Sequence, residues 1–527
     1  MKYLNFSFSH FNKYSKLVFI LLVYCFLFSS CISVEKYNKR LNDLHSAKEI
    51  KKDIDFVYRK LQLHPSLYWY ISKKELDYKF DSLKATINCP MTSNEFFFKI
   101  SPLIASVHQG HMAITPIIKK YPKKQLKTLN KSRGPISQFD YLCSEEKLLI
   151  IKNNSNFKNV KIGTEVLSIN DIKPFDLIKK YQNTYTSDGY NQTYIAQTLA
   201  RHVVNYYFYE LGFKDSVKFD LKYNDTITSL WIKRKYDSPL IKTDSTTKNK
   251  SNVNRKEETI KKIINGFNKN TNQYSKELKI LKPDSTVAII KINDFVYGNF
   301  RKFYKQSFAK IDSLGIKTLI IDLRGNKGGR LNDIHNLYSY LVDTNFVFMQ
   351  NSEIASRKSV FNVGYFGNSP IALKIFKGIF YPPFITVLLL KTEKSSEGKY
   401  YFNFKASKPS KHRNPNFKGK IYVLINGESF SASSILSSNL KGSKRAVFVG
   451  EETGGAYNGT VAGVMPSVKL PHTKLDFRFG LMAIKPFCQT EIEGRGIFPD
   501  IEIIPTLEER INGTDSEMNW ILEDIKK

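Results

Sequence analysis

Residues 420–459, KIYVLINGESFSASSILSSNLKGSKRAVFVGEETGGAYNG, restrict the fold of this chain more than any other stretch. Ile421 to Ile425 is a short apolar run that reads as a buried strand, and Asn426-Gly427 breaks it. Ser429, Ser431 and Ser433 then cluster where side-chain oxygens can cap free amides, and Ile435, Leu436 and Leu440 recur at helical spacing. A second apolar strand, Ala446 to Val449, closes the unit and runs into a glycine-rich segment that ends at Gly459. Strand and helix alternate here, which is the pattern of an α/β layer.

A serine on a sharp strand-to-helix turn sits at the positive end of the helix, where an alkoxide and a developing oxyanion both gain from aimed amides. That is what a serine nucleophile requires. A row of serines that merely caps a helix fits the same residues. Deciding between the two takes a base, an oxyanion partner and a binding site elsewhere in the chain.

With 527 residues the chain has room for about three domains and at least one large core. Hydrophobic content of 42% and aromatic content of 13% fit a globular protein, so disorder is confined to local segments. The formal charge of +33 is spread along the sequence with no nucleic-acid module, so no nucleic-acid partner is expected. A general attraction to anionic lipid, cell-wall polymer or acidic peptides follows instead.

The amino terminus predicts the compartment. Lys2, Lys13 and Lys16 precede an uninterrupted apolar run, Leu17 to Phe28, too short to span a bilayer, and Ser29-Ser30-Cys31 follows. A basic segment, a short apolar core and small residues describe a secretory signal over residues 1–30. A cysteine after Ser29-Ser30 resembles the bacterial lipoprotein signal, which implies that Cys31 carries the lipid and anchors an exported protein in the periplasm or cell envelope. Phe28 stands where that pattern usually has leucine. Beyond the leader only Cys89, Cys143 and Cys488 remain, so no disulfide framework and no zinc site is indicated.

A polar tether, 31–45, leads into a helical region, 46–133. Ile54, Val57, Tyr58 and Leu61 share one face, Leu76, Phe80 and Leu83 another, and Thr92-Ser93 before Glu95 is a capping arrangement for a third helix from Glu95 to Val107. That helix delivers His108-Gln109-Gly110-His111 to a loop. Two histidines three apart can bind a metal, but no third ligand is evident and no metal or other cofactor is expected. A structural histidine is the usual reading of either one, and a general base is the sharper alternative.

From 134 to 235 the period becomes alternating, with Val217, Phe219, Leu221 and Tyr223 the clearest case. Gly163 to Asp171, GTEVLSIND, resembles the carboxylate-binding PDZ domain, a module that accepts an extended peptide as an added strand. An ordinary structural β-module fits these residues too. Thr243 to Glu258 reads as a flexible linker and Ile260 to about Leu281 as a helix, together the segment 236–283. The α/β region, 284–510, opens with a strand at Val287, an amphipathic helix from Phe300, and a strand ending in Asp322-Leu-Arg-Gly-Asn-Lys-Gly-Gly329. Glycines at that turn let backbone N–H groups approach a substrate, while the lysine and Ser/Thr pattern of a P-loop is absent. Ile371 to Leu390 carries further apolar segments, and a helix closes the chain at 511–527.

Three separated segments, Asp322 to Gly329, Ser431 to Gly455 and Gly496 to Asp500, resemble in order the tail-specific, or C-terminal processing, serine peptidases, whose wider family includes the tricorn core. The resemblance implies an α/β catalytic core of ClpP/crotonase type behind an N-terminal helical region and a PDZ-like module. It implies hydrolysis of peptide bonds, with a peptide or protein as substrate; the membrane is the partner that the lipoprotein-like leader implies, through the lipid anchor. Carried over residue by residue, Ser431 matches the nucleophile, and Ala432 with Gly328 or Gly329 matches the oxyanion hole. In the processing branch a lysine base follows in a Tyr-Gly-Lys-Gly context, where this chain has Ala456. The tricorn-like branch uses a histidine supported by a glutamate, and His111 and Glu493 match those places, with Glu491 a weaker match. Gly110 stands where that branch has a serine. The alternative is a non-catalytic peptide- or lipid-binding protein on the same scaffold, since fold alone does not decide function.

Overall fold

A computed structural model describes residues 33–144, 146–236, 252–269, 271–281, 286–367 and 369–527. The leader, Cys31 and most of the expected linker lie outside the described residues.

The amino-terminal region is built on three helices: α1 (Ala47–Leu61), α2 (Lys73–Thr86) and α3 (Ser93–Ala105). Ile50, Ile54, Val57 and Leu61 form the buried stripe of α1, and Ser46 with Glu49 closes a capping box at its start. α3 starts at the expected Thr92–Glu95 capping box and stops just before the His108 loop. A short strand, β1 (Ala113–Thr115), follows that loop directly.

Next comes a five-stranded sheet of β2 (Phe139–Ser144), β3 (Lys147–Asn153), β4 (Glu165–Ile169), β5 (Ser216–Tyr223) and β6 (Thr226–Lys233), antiparallel throughout and in sequence order. Val217, Phe219 and Leu221 of β5 are buried, as their alternation requires. Two helices, α4 (Pro174–Gln182) and α5 (Thr193–Leu211), interrupt it between β4 and β5. The alternating reading of 134–235 missed them. Val203, Tyr206 and Tyr207 of α5 are fully buried, and aromatic residues on several sides of that helix blur its period.

After α6 (Asn252–Asn265) the expected helix to Leu281 does not continue. The chain forms β7 (Lys276–Ile280) instead, the antiparallel edge of the main sheet. That sheet continues with β8 (Val287–Ile292), then α7 (Phe300–Ser313), β9 (Thr318–Asp322), α8 (Leu331–Leu341), α9 (Ile371–Leu390), β10 (Lys420–Ile425), α10 (Ala432–Gly442) and β11 (Val447–Gly450). β12 (Thr460–Ala462), β13 (Ser467–Lys469), β14 (Asp476–Arg478) and β15 (Met482–Ile484) form small sheets above it, before β16 (Ile501–Glu502) and α11 (Ser516–Lys526). The order is β7-β8-β9-β10-β11-β16, parallel from β8 onward.

Both faces of the sheet are covered, which is why β9 and β10 read as continuous apolar runs. Leu319, Ile321, Ile421 and Val423 face the larger core with Phe303, Leu337 and Leu436. Ile320, Tyr422 and Leu424 face the other way, where Ile521 and Met518 of α11 cover them. The parallel strands point their carboxyl ends at one rim, and the Gly325–Gly329 turn and the start of α10 both lie there.

Candidate active site

Ser431 is the N-cap of α10 and has φ 57° and ψ −117°. A non-glycine residue in that region stores about 1–3 kcal/mol, and a turn this sharp lifts the side chain out of the helix start. The serines around it are structural. Ser429 Oγ donates to Leu323 O at 2.9 Å, Ser433 Oγ to Asn326 O at 2.9 Å and Ser434 Oγ to Ser429 O at 3.0 Å. Ser431 makes no side-chain cap bond, and its neighbours spend their hydroxyls on backbone carbonyls, which leaves its own hydroxyl over.

That hydroxyl lies 2.9 Å from His111 Nε2, across 320 residues of sequence. β1 brings the histidine there. Its register with β14, Ile114 opposite Phe477 and Ala113 opposite Arg478, stitches the helical region onto the α/β core immediately after the imidazole. The Phe430 ring packs 5.1 Å from the imidazole. Burial, and secondarily the Arg478 charge, pull the His111 pKa down to about 3, so the ring is neutral and able to accept a proton at pH 7. His108 plays a different role. Its backbone is left-handed, φ 55°, and its carbonyl accepts from Gly189 N at 2.9 Å.

The carboxylate beside this histidine loop is Asp188, 1% exposed. Its Oδ1 accepts from Gly110 N at 2.8 Å and from Thr460 Oγ1 at 3.0 Å, and its buried Oδ2 has no hydrogen-bond partner among the described residues. Burial raises its pKa to about 7 against the pull of those donors. Asp188 belongs to a loop that clamps the site from several sides. Thr186 Oγ1 donates to Met112 O at 2.7 Å, Tyr190 N to Gly494 O at 2.7 Å and Asn191 Nδ2 to Thr453 O at 2.8 Å.

Gly110 now has a physical reason. A Cβ there would lie 2.6 Å from Phe430 Cζ and 2.9 Å from Asp188 Oδ1, so Asp188 and Phe430 fill the space a serine would need. Glu493 does not bond to the imidazole. It is exposed, and its Oε1 accepts from Asn458 Nδ2 at 3.0 Å. The expectation that Glu493 grips His111 directly is therefore corrected. Arg495 pairs with Glu452, not Glu493, and Glu491 is exposed with no hydrogen bond of its own among the described residues.

Of the expected oxyanion donors, the structure brings Ala432 and Gly329 to the cleft beside Ser431, and no hydrogen bond among the described residues occupies either N–H. Gly328 is corrected from donor to spacer. Its N–H goes to Asn326 Oδ1 at 2.8 Å, and with φ 94° it lies so close that a Cβ would sit 2.7 Å from Ala432 N. The cleft holds about 650 Å³, and Ile435, Met482, Ile484, Leu388 and Phe402 make its far wall apolar. Ala456, at the place matched to a lysine, is 2% exposed and carries no base.

Asp188 and its loop are what the sequence reading missed. A lone aspartate in a polar turn of another module carries no signal of its own. The steric demand at Gly110 was the only indirect one, and it needs coordinates to be felt.

Residues 286–503 match the model of peptidase family S41. No curated protein matches the chain. Among solved structures, mature CPAF aligns with a TM-score of 0.55 at 15% identity, over 90% of this chain and 96% of that one. Mature CPAF complexed with lactacystin aligns at 0.56 and 14%, over 91% and 98%. At these identities the likeness is one of fold.

Proposed function

We propose, for a chain whose residues 286–503 belong to peptidase family S41 and which is therefore a serine-type peptidase, that hydrolysis runs through Ser431 as nucleophile and His111 as general base. The observation that carries this is the 2.9 Å contact between the two. Imidazole takes the hydroxyl proton as Oγ attacks the scissile carbonyl, and the amides of Ala432 and Gly329 receive the oxyanion. His111 then returns the proton to the leaving amine, and water repeats the cycle on the acyl-enzyme. Asp188 holds the histidine loop in place through Gly110, the supporting role expected of Glu493. The apolar wall of the cleft favours a substrate with an apolar side chain next to the cleaved bond.

The sheet of β2 to β6 with α4 and α5 serves in this reading as a PDZ-like recruiting module, and the leader with Cys31 holds the enzyme at a membrane outside the cytoplasm. A fluorophosphonate probe tests the chemistry. Wild type should be labelled and cleave peptides, and Ser431→Ala should lose labelling and about 10⁴ to 10⁶ in rate. Equal labelling of the variant, or peptide binding without turnover, would transfer the chain to the carrier class.

A further inference from the structure

α9, IALKIFKGIFYPPFITVLLL, is apolar around its whole circumference, yet only Ile385 is buried. Phe376 is 57% exposed, Ile379 68%, Phe380 51%, Val387 52% and Leu390 76%. A helix apolar on all sides belongs in a core or in lipid, and water covers one side of this one. The other side is fastened. Tyr365 packs 4.5 Å from Phe384 and 5.4 Å from Tyr381, Lys377 Nζ donates to Ser369 Oγ at 2.8 Å, and Leu388 lines the catalytic cleft. Pinned lengthwise over its roughly 30 Å, the helix has no freedom to cross a bilayer and can offer one flank only.

Charge and chain position identify what covers that flank. α9 contains no acidic residue, carries Lys374 and is followed by the exposed Lys391 and Lys394, on a chain of net charge +33. Exposed Glu393 and Glu397 follow the helix and offset part of this charge, but a second copy would bring another +33 against it, whereas anionic headgroups attract it. The first described residues meet the strand β13, whose start adjoins the loop before α9. Tyr37, in the short helix Val34–Lys39, lies in the field of Lys469 and Asp476. Lys469 ends β13, which begins just after Pro466, and Pro466 abuts Gly364, next to the Tyr365 that packs on α9. The tether that follows the expected anchor at Cys31 thus enters the structure near one end of β13, the strand whose other end adjoins Gly364.

We propose that α9 lies flat in the interface of an anionic bilayer, with Phe376, Ile379, Phe380 and Val387 in the acyl boundary and its lysines among the headgroups. The test uses the full chain in the Ser431→Ala background, so its outcome is independent of the peptidase reading. Ile379→Trp is added, and the protein is bound to vesicles of phosphatidylglycerol and phosphatidylcholine containing brominated lipid. The emission contributed by the introduced tryptophan should shift to the blue and fall at least about twofold. Phe376→Glu with Phe380→Glu should abolish both changes, and vesicles of phosphatidylcholine alone should weaken them. An unquenched signal from the introduced tryptophan, on a chain that still sediments with the vesicles, would overturn the proposal. So would a dimer in sedimentation that the two glutamates dissolve, which would give the face to a second copy. Equal quenching in phosphatidylcholine alone would overturn the anionic requirement.

Discussion

Replacing Asp188 by asparagine isolates one buried proton. The carboxyl is 1% exposed, and burial lifts its pKa from 3.8 to about 7. The folded chain therefore holds a proton between about pH 4 and pH 7 that the unfolded chain has released, and folding stability falls as pH rises through that window. A shift of about three pKa units at about 1.36 kcal/mol each is a loss on the order of 4 kcal/mol, absent below about pH 4 and complete above about pH 7. Asparagine keeps the Oδ1 acceptor for Gly110 N and Thr460 Oγ1 and removes the titration. The assay is urea unfolding followed by tryptophan fluorescence from pH 4 to pH 8, with variant and wild type side by side. The stability of Asp188→Asn relative to wild type should rise across this range by about 4 kcal/mol. His111 works in the opposite sense. Its pKa is lowered in the folded state, so its contribution grows with pH between about 3 and 6.5. His64, lowered to about 3 by burial, and His108, His202 and His335 act in the same sense as His111, so the difference between variant and wild type, rather than either profile, isolates Asp188. Parallel curves would refute the reasoning, because they would mean Asp188 titrates alike in both states.

Three further outcomes follow from the same geometry. Gly110→Ser should reduce kcat by at least about 10²-fold and lower stability by about 1–3 kcal/mol, since its Cβ meets Phe430 Cζ at 2.6 Å; steady-state kinetics and unfolding midpoints check both. Because burial keeps His111 neutral well below 6.5, kcat/KM should stay level from about pH 8 to below about pH 6, where an ordinary imidazole would already be half protonated; Arg478→Gln should move the acid limb to higher pH. Gly329→Ala, at φ 148° with Phe295 O only 2.4 Å from the new Cβ, should displace an oxyanion donor and lower kcat by about 10² to 10³ while leaving KM nearly unchanged.

The elements of the fold visible in the sequence are those whose burial is symmetrical. β9 and β10 are covered on both sides, so their apolar runs stand out, and the Thr92–Glu95 capping box marks a helix start without reference to anything distant. What failed is local pattern overruled by tertiary packing. β7 begins with Lys276, which reads as a polar helical residue, yet that lysine is fully buried, donates to Tyr297 O at 2.8 Å and sits 3.6 Å over the Phe300 ring. Its partners lie beyond the next strand, so nothing near Lys276 in sequence announces them. α9 is a further case: Pro382 and Pro383 argue for a break, and one helix runs through them, with Thr386 Oγ1 donating to Pro382 O at 2.9 Å.

Ser431 could be suspected from its own surroundings because everything a nucleophile needs locally, the turn and the helix start, is contiguous with it. The base could not. His111 reaches Ser431 because β1 pairs with β14 and because the 186–193 loop holds Gly110 and Gly494 on its two sides. Both His111 and Asp188 lie outside residues 286–503, the segment that matches the family. That segment alone supplies the nucleophile, the two amides and the apolar wall, but not the imidazole that meets Ser431. In the proposed mechanism the catalytic unit is therefore larger than the segment that matches the family. Within the proposed mechanism, the β1–β14 pairing and the Asp188 loop hold the 2.9 Å contact from outside that segment, so substitutions at these two joints should lower activity without touching the serine turn.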